Sequence, residues 1–124
     1  MNITERRIAD AVVIAPAGSI DHVNAQALER ALAPLLGPDA TTQALVLDFK
    51  DVGYVSSMGL RVLMVAAKAL RARNARIAVA ALQPVVVEIF DIARFSHVLE
   101  VFPTVRDALA ALSPSALAAW DAAR

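Results

Sequence analysis

The segment ALVLDFKDVGYVSSMGLRVL, residues 44–63, predicts a buried strand followed directly by a long helix. The strand is the largely apolar run Ala44–Phe49, because a short apolar run between turn signals is typical of a strand covered on both faces. The helix extends over about Ser57–Arg73, where apolar residues recur at helical spacing without an interrupting proline. Ser56 and Ser57 therefore lie at a strand-to-helix junction, where free N–H groups and the helix dipole can accommodate a phosphate.

The rest of the chain alternates predicted strands with predicted helices. Further strands are expected at residues 3–7, 11–15, 76–80 and 97–101, and further helices at about 23–36, 84–93 and 104–112. This alternation is typical of βαβ units. The sequence thus predicts an α/β fold with one domain, residues 1–112, whose mixed, mostly parallel sheet of four to five strands packs with about four α-helices. Residues 113–124 are expected to form a C-terminal tail that is either helical or frayed.

The composition excludes several classes of function. The 124 residues are 58% hydrophobic, which suffices for one domain with its own core. Twelve basic and twelve acidic residues cancel, which argues against direct binding of nucleic acid. Without cysteine there are no disulfides and no thiolate chemistry. Charged residues interrupt every apolar run before membrane-spanning length, so we expect a cytoplasmic protein with no membrane insertion. We also expect no cofactor and a monomeric free state.

The motifs of known catalytic sites are incomplete. A nucleophile elbow needs glycine two residues before the serine, and Tyr54 and Val55 occupy those positions. A phosphate-binding loop needs several glycines and a Lys-Ser/Thr pair, whereas only Gly53 and Gly59 flank the serines. The sequence therefore predicts that the protein is not an enzyme.

Isolated polar residues have structural interpretations. His97 begins a predicted strand and is expected to be a structural histidine, while His22 is expected to serve in a loop or cap. Asp48 and Asp51 flank a strand end, where solvated turn residues are common. The cluster of three arginines within residues 71–76 straddles a helix end, where cations complement the helix dipole. None of these residues predicts a metal or acid–base site.

Two interpretations of the serine pair stay open on the residues alone. Serine is among the best N-cap residues, so Ser56 and Ser57 could simply cap the helix. The alternative is a regulatory phosphate, which adds about −1.5 to −2 charges and three acceptor oxygens.

The serine segment resembles the loop typical of STAS domains, the anti-sigma factor antagonist family. This similarity spans Tyr54–Leu63. Further similar segments follow the family's order along the chain: Gly18-Ser19-Ile20-Asp21, residues 44–52, Pro84–Phe90 and Val101–Leu109. Together they cover roughly Ile3 to Leu112 and imply the STAS fold.

The resemblance also implies a site of modification. In that family the phosphorylated hydroxyl lies two residues before the glycine of a Gly-Leu pair, and the matching residue here is Ser57. Ser56 stands where the family usually has aspartate, and Met58 replaces a small residue. Ser57 is thus the expected phosphate acceptor, with Ser56 as the alternative.

A partner-switching mechanism is what such a resemblance implies. The unmodified protein would bind an anti-sigma factor that is also a serine kinase, and so free the sigma factor. Phosphorylation of Ser57 would separate the complex, and a PP2C-type phosphatase would reset it. A docked interface must desolvate the added charge, which lowers affinity about tenfold for each 1.4 kcal/mol of cost.

Helix spacing predicts a binding face on the long helix. Its core stripe is expected to comprise Leu60, Leu63, Met64, Ala67 and Leu70. The other face carries apolar residues rimmed by cations, which either dock the kinase or lie under a neighbouring helix. Asp21 should lie at the same end of the sheet as Ser57, as a loop cap or a contact. The candidate partner-binding residues are Asp21, Ser56, Ser57, Met58, Gly59, Arg61, Val62, Val65 and Lys68.

Two other functions are alternatives. A STAS-type accessory subunit, for example on the ATPase of a lipid transporter, would use the Ser57 helix as a constant contact without a phosphate cycle. A small serine hydrolase or nucleotide-hydrolysing protein is disfavoured, because the elbow glycine and the phosphate-binding loop are missing.

Overall fold

The computed structural model describes residues 1–123. Within them the chain forms six strands, five α-helices and one 3-10 turn. In chain order these are β1 (Asn2–Ile8), β2 (Ala11–Ile20), α1 (His22–Leu36), β3 (Ala44–Asp48), β4 (Val52–Val55), α2 (Ser57–Ala72), β5 (Arg76–Ala80), α3 (Pro84–Ile92), the 3-10 turn Phe95–His97, β6 (Glu100–Phe102), α4 (Val105–Leu112) and α5 (Pro114–Ala122). None of the described helices combines the length and apolar character that crossing a membrane requires.

The strands form one mixed sheet in the order β1-β2-β3-β5-β6, and β4 pairs with β2. Only the β1–β2 pair is antiparallel among the described strands. β2 is the central strand, because it pairs with β1, β3 and β4. The predicted α/β fold with a mixed, mostly parallel sheet is confirmed. The described residues contain six strands and five helices, against the four to five strands and about four helices that were expected.

Helices cover both faces of the sheet, which explains the nearly continuous apolar runs of its central strands. Leu45 and Leu47 of β3 belong to a cluster with α1, α2 and α3, whereas Ala44 and Val46 belong to a second cluster with α4 and α5. The same alternation of larger and smaller side chains occurs in the neighbouring strands, with Val12, Ile14, Ile77 and Val79 in the first cluster and Ala11, Val13, Ala78 and Ala80 in the second. The bulky face thereby fixes the positions of α1 and α2.

β2 continues five residues beyond its predicted end at Ala15. Pro16 lies within the strand opposite Ile3, a position that proline tolerates where its missing N–H is not needed by the ladder. Gly18 adopts a φ of 111°, and the register with β4 shifts between Gly18 and Ser19. This bulge extends β2 onto β4, a strand that the sequence did not predict.

The segment around His97 also differs from the prediction. Instead of a strand at residues 97–101, the chain forms the 3-10 turn, and only Glu100–Phe102 pairs with β5. Phe95 and Leu99 are buried, whereas His97 is exposed and is not a core histidine. Arg94, with a φ of 55°, and the 3-10 turn that follows it change the direction of the chain, so the strand begins three residues later than predicted.

The C-terminal tail is helical, as α5, and Arg124 lies outside the described residues. Ser113 caps α5 by accepting the Ala116 N–H at 3.2 Å, and its hydroxyl donates to Asp10 at 2.5 Å. The guanidinium of Arg6 on β1 lies 4.7 Å from the centre of the Trp120 ring. These contacts attach α5 to the β1–β2 hairpin.

A second attachment of α5 joins it to α4. The guanidinium of Arg106 donates to both carboxylate oxygens of Asp121, at 3.0 and 2.9 Å. These hydrogen bonds, together with the negative charge of Asp121, raise the pKa of Arg106 above its ordinary value. The tail thus packs against both the sheet and its neighbouring helix.

The arginine cluster at the end of α2, Arg71, Arg73 and Arg76, binds backbone carbonyls of other elements. Its side chains donate to backbone carbonyls as follows: Arg73 to Leu35 at 2.8 Å, Arg76 to Ala111 at 2.8 Å, and Arg71 to Val98. Leu35 and Ala111 lie in the last turns of α1 and α4, whose carbonyls lack partners within their own helix. These arginines were predicted to complement the dipole of the helix that they follow. Arg71 lies in the last turn of α2, and Arg73 and Arg76 interact with the C-terminal ends of neighbouring helices instead.

Replacement of Arg73 tests this role. In Arg73→Met the apolar stem remains but the Leu35 carbonyl loses a charged donor, so we expect the free energy of unfolding to fall by about 1–2 kcal/mol. Part of the loss is offset, because Nε of Arg73 is buried without a partner among the described residues. Urea denaturation measures the change. Arg30→Met, at an exposed position of α1, is the control, and equal stability of the two variants would contradict the assignment.

Candidate functional site

The site forms where two parallel strands end side by side. Ile20 at the end of β2 pairs with Val55 at the end of β4, and the Ser56 N–H donates to the Ile20 carbonyl at 2.8 Å. Each strand is followed by a single capping residue and then a helix, so α1 and α2 begin next to each other. Asp21 and Ser57 accordingly lie at the same end of the sheet, as the sequence led us to expect. The positive ends of two helix dipoles point to this region.

The two serines have different environments. Ser56 is the N-cap of α2: it is half-buried, and its hydroxyl oxygen accepts the Gly59 N–H at 3.1 Å. Ser57 is the first residue of α2 and is exposed, and its hydroxyl makes no hydrogen bond to any residue from 1 to 123. The capping interpretation therefore holds for Ser56 alone, and the Ser57 hydroxyl is available to solvent.

Asp21 is the N-cap of α1. Its carboxylate accepts the Asn24 N–H at 2.8 Å, and the Asn24 amide in turn donates to the Ser19 carbonyl at 2.7 Å. Asp21 thus has the loop-capping role that was one of its two predicted roles. One carboxylate oxygen has a capping partner, and the residue as a whole stays exposed.

Gly59 is the point of closest approach between α2 and the strand ends. A Cβ atom at this position would lie 2.8 Å from Ile20 Cγ2 and 2.9 Å from Val55 Cγ1. Both atoms belong to β-branched side chains, which are stiff at χ1 and cannot easily move away. The absence of a side chain at residue 59 therefore sets the distance between the serine pair and the sheet.

The exposed face of α2 differs in part from the predicted one. Met58, Arg61, Val65 and Lys68 are exposed, with Val65 at 52%. Val62 is only 8% exposed and belongs to the core cluster, so its side chain does not join this face. Gly59 is likewise buried against the strand ends and contributes through packing.

The predicted core stripe of α2 needs a matching correction. Met64 was placed in the core but is 37% exposed, and Leu60 is only half-buried. The buried arc of α2 is Gly59, Val62, Leu63, Ala66, Ala67 and Leu70. The arc is rotated because α2 contacts α1 as well as the sheet, and Val62 and Ala66 are the positions next to the predicted stripe.

Two exposed apolar residues near the strand ends were missed. Tyr54 on β4 is 47% exposed, and Val23 in the first turn of α1 is 71% exposed. The strand β4 that carries Tyr54 has buried ends and an exposed middle, which is not the alternation that indicates a strand in a sequence. Val23 carries no signal in the sequence.

Metal-binding groups and surface grooves elsewhere in the described part of the molecule do not point to a second site. Among the described residues no group of three or more His, Asp or Glu side chains could hold a metal ion. A groove of about 450 Å³ is lined by Arg6, Trp120 and residues around the start of α4, and another of about 460 Å³ is lined by apolar residues of α3 and β6. Neither groove includes Ser56 or Ser57 in its lining.

Comparison with known proteins agrees on one family. The family model of the STAS domain matches residues 2–108 of the sequence. "Putative anti-sigma factor antagonist BtrV" of Bordetella bronchiseptica is 34% identical over 119 residues, which are 94% of this chain and 98% of that protein. The crystal structure of an anti-sigma factor antagonist from Mycobacterium paratuberculosis is 26% identical with a TM-score of 0.80, over 90% of this chain and 92% of that one. The Bacillus cell fate determinant SpoIIAA in its phosphorylated form shares the fold, with a TM-score of 0.69 at 14% identity over 89% of this chain and 98% of that one.

The close contact at Gly59 leads to a stability prediction. Gly59→Ala should lower the free energy of unfolding by up to about 2 kcal/mol, because overpacking at Ile20 and Val55 costs about 1–3 kcal/mol and the helix propensity of alanine offsets only about 1 kcal/mol of it. Thermal or urea unfolding measures the difference. Gly53→Ala is the matched control, since its Cβ would meet only Gln83 Oε1 at 3.8 Å. A Gly59→Ala protein more stable than the native one would contradict the packing argument.

Proposed function

The chain belongs to the STAS domain family, and we propose that it is an anti-sigma factor antagonist that works by partner switching, with Ser57 as the phosphate acceptor. The unmodified protein binds an anti-sigma factor that is also a serine kinase. That kinase phosphorylates Ser57, the complex separates, and a PP2C-type phosphatase restores the unmodified form. The protein itself is a cytoplasmic binding module and not an enzyme, and it acts as a monomer when free.

The contrast between the two serines carries this proposal. The Ser56 hydroxyl accepts the Gly59 N–H and so has a structural task, whereas the exposed Ser57 hydroxyl has no partner among the described residues. A kinase can reach Ser57 without opening the helix. Modification of Ser56 would instead act on the oxygen that caps α2, which is why we assign the phosphate to Ser57.

The location of Ser57 also accounts for a switch that preserves the fold. Ser57 is the first residue of a 16-residue helix, where N–H groups and the helix dipole favour an anion. A phosphate there would thus cost the free domain little. In a docked complex the same dianion must lose its hydration shell, which weakens binding unless the partner supplies a cation.

The binding surface we propose surrounds Ser57. It combines the exposed side chains of Met58 and Val65 with the cations Arg61 and Lys68, and Asp21 flanks it at the start of α1. Exposed apolar residues rimmed by charge are typical of protein interfaces, and methionine adapts readily to a partner. Val62 and Gly59 support this surface from below, since both are buried.

A labelling experiment tests the assignment of the acceptor. The anti-sigma factor kinase of the same organism, captured with the unmodified protein and identified by mass spectrometry, is incubated with ATP and the purified protein. We expect Ser57→Ala to lose all labelling while its stability stays within about 0.5 kcal/mol of native, as for an exposed residue without contacts. Ser56→Ala should keep the label and lose about 1 kcal/mol of stability, because it removes an N-cap.

Other outcomes of this experiment are equally decisive. Undiminished labelling of Ser57→Ala together with loss in Ser56→Ala would transfer the site to Ser56. Capture of a transporter ATPase with no kinase activity toward the protein would favour the accessory-subunit function instead.

A pair of isosteric variants separates charge from shape. Ser57→Asp should lower affinity for the kinase at least tenfold, about 1.4 kcal/mol, while its stability is unchanged or raised by about 0.3–1 kcal/mol through the helix dipole. Ser57→Asn has the same size without the charge and should bind nearly as the native protein does. Titration calorimetry measures both affinities. Equal loss of binding in the two variants would refute the electrostatic account.

A further inference from the structure

The exposed face of α2 carries positive charge only. Ser57–Ala72 contains three basic residues, Arg61, Lys68 and Arg71, and neither aspartate nor glutamate, although the whole chain has zero net charge. Met58, Met64 and Val65 are the exposed apolar residues of the same face, at 37%, 37% and 52%. A helix whose exposed side is both apolar and cationic is unusual for a purely solvated surface, where both signs of charge are normally interspersed.

Two of these cations have neither an ion pair nor a hydrogen bond within residues 1–123. Arg61 and Lys68 form no ion pair with any residue from 1 to 123, whereas the guanidinium of Arg71 donates to the Val98 carbonyl. The first turns of both α1 and α2 lack acidic residues. The Asp21 carboxylate, at the N-cap of α1, already accepts the Asn24 N–H. The two helix N-termini add further positive potential at this end of the face.

From this charge pattern we propose that the docking face of the kinase partner is acidic around an apolar centre, and that Arg61 binds either a partner carboxylate or the phosphate on Ser57. The inference rests on the proposed function and specifies the partner chemistry that it leaves open. Unmodified, the face presents two free cations to the partner's carboxylates. Such complementary charges accelerate association and fix the docking register.

The spacing of Ser57 and Arg61 supplies the switch. Residues four apart lie on the same side of a helix one turn from each other, with the acidic member first in the favourable order. A phosphate on Ser57 is therefore within reach of the Arg61 guanidinium inside the same chain. Its charge of about −1.5 to −2 cancels most of the +2 contributed by Arg61 and Lys68. The phosphorylated face no longer attracts carboxylates, and its phosphate repels them.

Association kinetics with the captured anti-sigma factor kinase test the proposal. We expect the double variant Arg61→Gln/Lys68→Gln to associate about tenfold more slowly than the native protein at low salt. Between about 50 and 500 mM salt the difference should vanish, because the shorter Debye length screens the native charges. Arg7→Gln removes one exposed charge from β1, at the edge of the sheet, and should associate like the native protein.

The outcomes distinguish this inference from the proposed function. Native-like, salt-independent association of the double variant would overturn the acidic partner face while the kinase complex itself remained. Faster association of the double variant would show that the partner face is basic. Binding of the protein to anionic lipid vesicles, with no kinase captured, would overturn both proposals and identify the face as a membrane contact.

A partner-free measurement tests the role of Arg61. In a ³¹P NMR titration of the phosphorylated protein, Arg61→Gln should raise the second pKa of the phosphate toward the usual value of about 6, because a cation beside the dianion is lost. Lys68→Gln, eleven residues from Ser57, is the control and should leave that pKa unchanged. An equal pKa in Arg61→Gln and the native phosphoprotein would overturn the contact between Arg61 and the phosphate.

Discussion

The parallel pairing of β2 with β4 is the constraint on which the site depends. It brings Ile20 and Val55 together, and these two side chains leave room for α2 only because residue 59 is glycine. The same pairing allows the Ser56 N–H to donate to the Ile20 carbonyl, so the loop before α2 is attached to the end of β2. The backbone of two paired strands therefore fixes the position of the serine pair, which does not lie on a flexible surface loop.

The rest of the fold fixes the positions of the helices on the two faces of the sheet. Larger side chains of the central strands face α1 and α2, and the smaller ones face α4 and α5. The size of these side chains sets how closely each helix pair packs on the sheet. Arg73 and Arg76 bind the last turns of α1 and α4 at the opposite end of α2 from the serines. One short basic segment thus fixes helices on both faces of the sheet. The site itself uses none of these arginines.

Much of this could be predicted from the sequence, for identifiable reasons. Ala44–Asp48 and α2 have strong patterns, and the segment Thr104-Val105-Arg106-Asp107 has the spacing of a capping box, in which the Thr104 hydroxyl accepts the Asp107 N–H. Asn74, just after α2, has a φ of 60°, the left-handed conformation that asparagine tolerates at a helix end. These features depend on local chemistry, which the sequence states directly.

The errors of prediction share a different cause. β4 is only four residues long, and its pairing with β2 depends on a bulge at Gly18. Val62 is buried and Met64 exposed because α1 contacts α2 from the side, so the core arc of α2 is not the one that contact with a sheet alone would bury. His97 is exposed because the chain turns before β6 begins. In each case a distant element decides the outcome, and a periodic pattern carries no information about it.

The separation of tasks between adjacent serines explains how one residue could gain a negative charge without disturbing the fold. Because Ser56 holds the cap of α2, the first turn does not depend on the Ser57 hydroxyl for a hydrogen bond. Because Gly59 packs directly against Ile20 and Val55, the first turn of α2 is held close to the strand ends. A phosphate on Ser57 would therefore project from a fixed helix start toward solvent or a partner, one turn from Arg61. The energetic consequence of that charge would fall on the interface and on Arg61, and hardly on the free energy of folding, which is the condition for a reversible switch.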